Sequence, residues 1–139
     1  MARALSADSI TLSIPHAKAY HGVARLVVGG LAARLALSYE HLEDLQLALE
    51  SVLESDRYVD GDEVTVLLVV GSDSVVMEIG PLDPVALRES LDAADDAISL
   101  ARLLSTLVEE VSLEERGGRH RLRLEKRVPL TRPEPREPV

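Results

Sequence analysis

The 139-residue chain contains no cysteine, no phenylalanine and no tryptophan, and its aromatic side chains amount to three tyrosines. Without cysteine, disulfides, thiolate metal sites and cysteine nucleophiles are excluded. Without Phe or Trp, the core must be filled by Leu, Val and Ala. No apolar run approaches the roughly 20 residues of a membrane-spanning helix, and the opening MARALSADS lacks a signal-peptide core, so a soluble, cytoplasmic protein without a membrane partner is expected. Positive charge is also scarce, with 15 Lys and Arg against 24 Asp and Glu and a net charge of −9. A primary nucleic-acid partner would need a cationic surface, so that class is set aside. Eight of the fifteen cations fall between Arg116 and Arg136, which reads as a solvated basic strand rather than a dock for an acidic partner.

The chain does have apolar residues in quantity, 46% of the total. At this length they support one domain that buries roughly two-thirds of its unfolded surface. Residues 9–14 alternate, with Ile10, Leu12 and Ile14 on one side and Ser9, Thr11 and Ser13 on the other, a half-buried strand closed by Pro15. Residues 17–37 change to a helical period, with Val23, Leu26/Val27, Gly30/Leu31 and Leu35 as the apolar face. Gly29-Gly30 would cost about 1 kcal/mol per glycine relative to Ala in mid-helix, and a close backbone approach is the expected compensation. Ser38 is a helix cap, followed by Glu40, Glu43 and Asp44 where the helix dipole favours acids. The helix over residues 40–58 carries a stripe of Leu42, Leu45, Leu49 and Val52/Leu53, with the small residues Ala48, Ser51 and Ser55 assigned to its other side.

Beyond a loop that turns at Gly61, residues 64–70 and 75–79 form a hairpin around Gly-Ser-Asp-Ser. Asp83 is placed to cap a helix that begins at Pro84. Helical periodicity continues to about residue 110, broken near Asp95-Asp96 and clearest at Ile98, Ala101, Leu104 and Leu107/Val108. Residues 111–115 and 120–128 make a second hairpin around Gly117-Gly118. In its last strand Leu122 and Leu124 oppose Arg119, Arg121, Arg123 and Arg127, with Ser112 and Glu114 across from these arginines. The order β-α-α-β-β-α-β-β, with strands apolar on one face, predicts an α/β two-layer sandwich: a mostly antiparallel sheet with helices on one side. The domain is expected over residues 9–128, with a flexible stretch at 1–8 and a disordered Pro-rich tail at 129–139.

Other clusters carry less. His16, His21, His41 and His120 lack metal-ligand spacing. Asp56, Asp60 and Asp62 lack the calcium-loop pattern, Asp92, Asp95 and Asp96 read as a polar helix boundary, and no serine sits in a nucleophile elbow.

The strings ARLVVGGLAARLALS, EDLQLALES, Gly-Pro-x-Asp-Pro at 80–84, LLSTLVEEV and GGRHRLRLEKR occur in an order and spacing that resemble the bacterial anti-sigma regulatory factors. These are serine kinases of the GHKL superfamily (gyrase, Hsp-type chaperone, histidine kinase, mismatch-repair ATPase). The resemblance covers residues 9–128 and implies the Bergerat-type ATPase fold, ATP with magnesium as cofactors, and a sigma factor, an anti-sigma-factor antagonist or a second copy (a homodimer) as partner. In the family a Glu followed four residues later by an Asn supplies the base and the magnesium ligand. Ungapped alignment puts Ser51 and Ser55 there. A slip of one residue offers Glu50 and Glu54 instead but turns the helix by about 100° away from its leucine stripe. The family's adenine-binding Asp corresponds to Glu78, followed by Gly80 with the second glycine missing. The phosphate-binding glycine box corresponds to Ala97 and Ser99, and the late threonine to Arg119. The resemblance with these substitutions implies a regulatory protein that acts through protein contacts, with ATP binding relaxed or lost and no cofactor. The alternative is an active ATP-dependent serine/threonine-protein kinase using Glu50 as base and Glu54 or Ser55 to hold Mg²⁺.

Overall fold

The computed structural model describes residues 8–92 and 99–128. Within them run β1 (Asp8–Pro15), α1 (Lys18–Arg34), α2 (Tyr39–Leu53), β2 (Glu63–Val70), β3 (Ser74–Leu82), α3 (Pro84–Asp92), α4 (Leu100–Leu107), β4 (Glu110–Arg116) and β5 (Arg119–Arg127). The strands form one sheet in the order β1-β2-β3-β5-β4 with every pairing antiparallel. All four described helices contribute to the core that covers one side of this sheet. The expected two-layer α/β sandwich is therefore the architecture found.

Local chemistry accounts for the boundaries. Ser38 caps α2, its hydroxyl accepting the His41 N–H. Asp83 Oδ1 accepts from the Val85 and Ala86 N–H groups at the start of α3. Gly117 and Gly118 both take positive φ, 63° and 79°, as a two-residue hairpin turn with matching twist requires. Across that turn Ser112 faces Arg123 and Glu114 faces Arg121, the register read from the sequence. The first hairpin is longer than its β-branched runs suggested, because Glu63, Ser74 and residues 80–82 also join the ladder.

Core residues alternate along the strands. Val64, Val66, Leu68, Met77, Ile79, Leu122 and Leu124 lie under the helices, almost fully buried. Leu45, Leu49, Val52 and Leu53 of α2 and Leu104 of α4 meet them. Without bulky aromatics the layer is filled by branched aliphatic side chains, and Tyr58 is the aromatic residue that enters it.

Five expectations need correction. α1 does not bury Val23, Leu26 and Gly30. It buries Ala24, Val28, Leu31 and Ala32, leaving Leu26 76% exposed. Both rows have helical spacing, and the alanine row wins because its short side chains let the helix sit closer to the layer beneath. The glycine pair meets no close backbone. A Cβ on Gly29 would lie 3.6 Å from Gln46 Nε2, an ordinary contact, and one on Gly30 would meet nothing within 4 Å. Ala48 belongs to the buried side of α2, at 0% exposure, and α2 itself ends at Leu53. The last helical stretch also ends early, at Leu107, because residues 110–116 are β4. The proposed break at Asp95-Asp96, together with Ala97, Ile98, the first seven residues and the Pro-rich tail, lies outside the described residues.

Candidate functional site

The end of α2 and the start of α4 enclose a cleft of about 320 Å³ lined by Ser51, Glu54, Ser55, Tyr58, Leu100 and Leu103. Ser51 is on the last full turn of α2 and Ser55 just beyond its end, so the sequence-predicted pair does meet in one cavity. Its hydroxyl groups are bonded to the fold itself. Ser51 Oγ donates to the Ala48 carbonyl at 2.8 Å. Ser55 Oγ accepts the Arg57 N–H at 3.2 Å. The Tyr58 hydroxyl and Ser90 Oγ share a hydrogen bond of 2.7 Å. Ser99, at the α4 end of the cleft, is buried and caps α4 by accepting the Arg102 N–H.

A serine hydroxyl at Ser51 cannot take up a proton at neutral pH as a carboxylate does, so this position holds no general base. Ser55 offers one neutral hydroxyl oxygen in place of the family's amide, and its Oγ already accepts the Arg57 N–H. Among the described residues no cluster of three or more His, Asp or Glu has metal-holding geometry.

The alternative pair is not joined. Glu50 is ion-paired with Arg25 of α1, its side chain 19% exposed. Glu54 is exposed on the rim and also borders a second cavity of about 530 Å³ with His16, Lys18, His21 and Asp56. In that cavity the His16 and His21 rings stack at 6.0 Å, and His16 Nε2 contacts the Leu53 carbonyl at 3.2 Å.

Glu78 and Gly80 lie apart from the serines. Met77 and Ile79 point under the helices, so strand alternation turns Glu78 to the open face of the sheet. There it borders a cavity of about 160 Å³ with Thr65, Leu67, Gly80, Arg119 and Arg121. Arg121 Nη1 donates to Glu78 Oε1 at 3.2 Å, and Arg116 Nη2 approaches the same oxygen at 3.7 Å. Gly80 is fixed by packing, since a Cβ there would stand 3.0 Å from Arg121 Cβ and 3.1 Å from the His120 carbonyl oxygen. The positions aligned with one nucleotide site are thus divided between the two faces of the sheet.

Sequence reasoning passed over Lys126. It is buried at 7% exposure, and its Nζ donates to Asp44 Oδ2 at 2.9 Å and to the Leu107 carbonyl at 2.8 Å. The signal was available, because Lys126 shares the alternation of Leu122 and Leu124 and so had to point under the helices.

No protein-family model matches the chain. Among curated proteins it is similar to "Serine-protein kinase RsbW" of Listeria monocytogenes serotype 4a, 32% identical over 77 residues, which is 52% of this chain and 49% of that protein. It is also similar to the proteins of the same name from Bacillus velezensis, 25% identical over 134 residues (81% of this chain, 82% of that protein), and from Bacillus pumilus, 26% identical over 131 residues (80% and 81%). The chain thus spans about half the length of the Listeria relatives it matches, and the longer Bacillus matches extend the likeness over four-fifths of each chain at a quarter identity.

Proposed function

We propose that the chain is a regulatory interaction module of the anti-sigma-factor type, which works by binding a protein partner and has lost the phosphoryl-transfer chemistry of its relatives. The observation that carries this is the cleft at the end of α2. Ser51 and Ser55 stand at the base and metal-ligand positions, and both hydroxyls are bonded to the backbone beside them. The division of Glu78 from that cleft supports the same reading, as does the engagement of Glu50 by Arg25. The partner class is the one the family resemblance implies: a sigma factor or an antagonist of an anti-sigma factor, met in the cytoplasm. Calorimetric titration with ATP and Mg²⁺ tests the proposal. No heat of binding up to about 1 mM nucleotide, weaker than about −4 kcal/mol of binding free energy, is the expected result, and micromolar binding would sink it.

A second reading has one observation in its favour, namely that the relatives carry the name of a serine-protein kinase. It takes the chain as an active ATP-dependent kinase with Glu50 as base. Incubation of the wild-type chain with labelled ATP and an antagonist protein separates the two readings. Transfer of label that Glu50→Ala abolishes would establish the kinase, and absence of transfer from the wild type removes it.

A further inference from the structure

The hairpin of β4 and β5 sets like charges face to face. Arg116 and Arg119 are register partners across the Gly117-Gly118 turn, and two cations directly opposite each other destabilise a strand pair. Arg121, two residues further along β5 and on the same face, adds a third guanidinium. Carboxylates do not balance the three. Glu78 Oε1 is bonded to Arg121 Nη1 and is also the oxygen that Arg116 approaches at 3.7 Å. Glu114 faces Arg121 in register, yet among the described residues neither Glu114 nor Arg119 takes part in an ion pair. Arg121 also holds a donor in reserve, since its Nε is buried and has no acceptor, a state that buried polar atoms rarely keep. Nε–H and the adjacent Nη2–H form one edge of the planar guanidinium, the fork that grips two oxygens of an oxyanion. Beside these groups lies the open-face cavity of about 160 Å³, lined by Thr65, Gly80, Arg119 and Arg121. At ~30 Å³ per water it has room for roughly five waters, enough for one polyatomic ion and too little for a nucleotide.

We propose that this corner of the open face binds one tetrahedral oxyanion, either inorganic phosphate or the phosphate group of a small monoester. The shape of the donor set selects the ion. Arg116, Arg119 and Arg121 come from two strands and from both sides of a turn, so their N–H groups do not share a plane. A carboxylate presents two oxygens in one plane and suits a single fork, and Glu78 already supplies that geometry to Arg121. A tetrahedral ion carries an oxygen toward each guanidinium and screens Arg116 from Arg119. Thr65 adds a hydroxyl: it shares a hydrogen bond of 2.8 Å with Ser13 Oγ, and when Ser13 donates, the Thr65 proton is free for the ion. Affinity is modest by construction. The ligand has few atoms over which to gain binding energy, the Arg116 side chain is 58% exposed, and the chain around the site carries a net charge of −9. A dissociation constant of about 1–5 mM is the consequence. The site lies across the sheet from the α2–α4 cleft, requires no Mg²⁺ and does not depend on the reading of that cleft.

The test is an NMR titration of the isotope-labelled full chain with inorganic phosphate to about 30 mM, with ionic strength held at ~0.15 M by chloride so that screening stays constant. Saturable shifts are expected at the backbone amides of Gly80, Gly117, Gly118 and Arg119, and none at Ser51 or Ser55. Arg116→Gln and Arg119→Gln, both at exposed positions, should each weaken binding at least about fivefold. Arg127→Gln, at the far end of β5, should leave it unchanged. Acetate should bind at least about tenfold more weakly than phosphate. Glycerol 3-phosphate as a second probe assigns the source. Equal affinity means that one oxygen points out of the cavity and a monoester is the ligand class, whereas loss of binding means that the whole free ion is enclosed. Shifts that chloride reproduces without saturation report screening alone and overturn the proposal. So does binding indifferent to Arg119→Gln, acetate binding as tight as that of phosphate, or phosphate shifts confined to Ser51 and Ser55.

Discussion

Among the described residues a single cation is buried on the helix side of the sheet and a single carboxylate on the open side. Lys126 reaches from β5 to Asp44 of α2 and to the carbonyl of Leu107 at the end of α4, with two hydrogen bonds of 2.9 and 2.8 Å. Glu78 reaches from β3 only to β5 and β4, through Arg121 at 3.2 Å and Arg116 at 3.7 Å, and the Arg116 side chain is 58% exposed. The Lys126 charge fixes two helices onto the sheet. The Glu78 charge joins strands that the ladder already holds and covers a face without helices. Burial of a charge is thus a tertiary docking device on one side and a local cover on the other, and the two should differ in what their removal costs.

Lys126→Ala should give the largest loss, about 2–4 kcal/mol in urea-induced unfolding, since it removes a buried stem and leaves Asp44 and the Leu107 carbonyl without their donor. Lys126→Met keeps the volume and should recover part of that loss. If both cost less than 1 kcal/mol, the docking role of the ammonium is wrong. Gly80→Ala strikes the open side at its tightest point. The new methyl would stand 3.0 Å from Arg121 Cβ and 3.1 Å from the His120 carbonyl oxygen, so strands β3 and β5 must part where their register already shifts between Ile79 and Leu82. Overpacking of this kind costs about 1–3 kcal/mol, visible as a lowered thermal midpoint. A neutral result would show that the bulge absorbs the methyl.

Glu78→Gln should cost less, about 1 kcal/mol, because solvent reaches Arg116 and Arg121 and replaces part of what the carboxylate supplied. Pairing it with Arg121→Ala in a double-mutant cycle sharpens the comparison. A coupling below about 1 kcal/mol fits a half-screened pair, and one as large as the Lys126 effect would make the two faces equivalent.

Elements were legible in the sequence where local chemistry decides them. Ser38 and Asp83 announce their helices through side-chain caps, Gly117-Gly118 demands a positive-φ turn, and strict alternation sets the register of β5 against β4. The rotation of α1 was not legible, because its Ala24–Val28–Leu31 row and its Val23–Leu26–Gly30 row share one period and only the packed layer beneath chooses between them. The buried place of Ala48 was not legible for a related reason, since a small side chain suits an outer face by pattern and a close-packed face by volume. In the site, the meeting of Ser51 with Ser55 followed from the α2 register. That Glu78 points away from them did not, since the family alignment places residues along a strand without saying which face each occupies. Parity with the buried Met77 and Ile79 would have settled it.

The smallest effect is expected at Ser51→Ala. The hydroxyl returns to the Ala48 carbonyl within its own helix, a bond that competes with the helix ladder as much as it supports it. Alanine is the better helix former by a few tenths of a kcal/mol, so the unfolding free energy should change by no more than about 0.5 kcal/mol in either direction. The same substitution bears on chemistry far more than on stability. If the cleft still handles a nucleotide, the Ser51 hydroxyl is one of the polar groups that line it, and its removal would weaken ATP and Mg²⁺ binding by tenfold or more, about 1.4 kcal/mol. If the cleft is vacated, partner capture by Ser51→Ala matches that of the wild type at every concentration. Glu78→Gln, acting on the other face of the sheet, is then equally silent toward nucleotide, and a nucleotide effect shared by both substitutions would rejoin the two faces into one site.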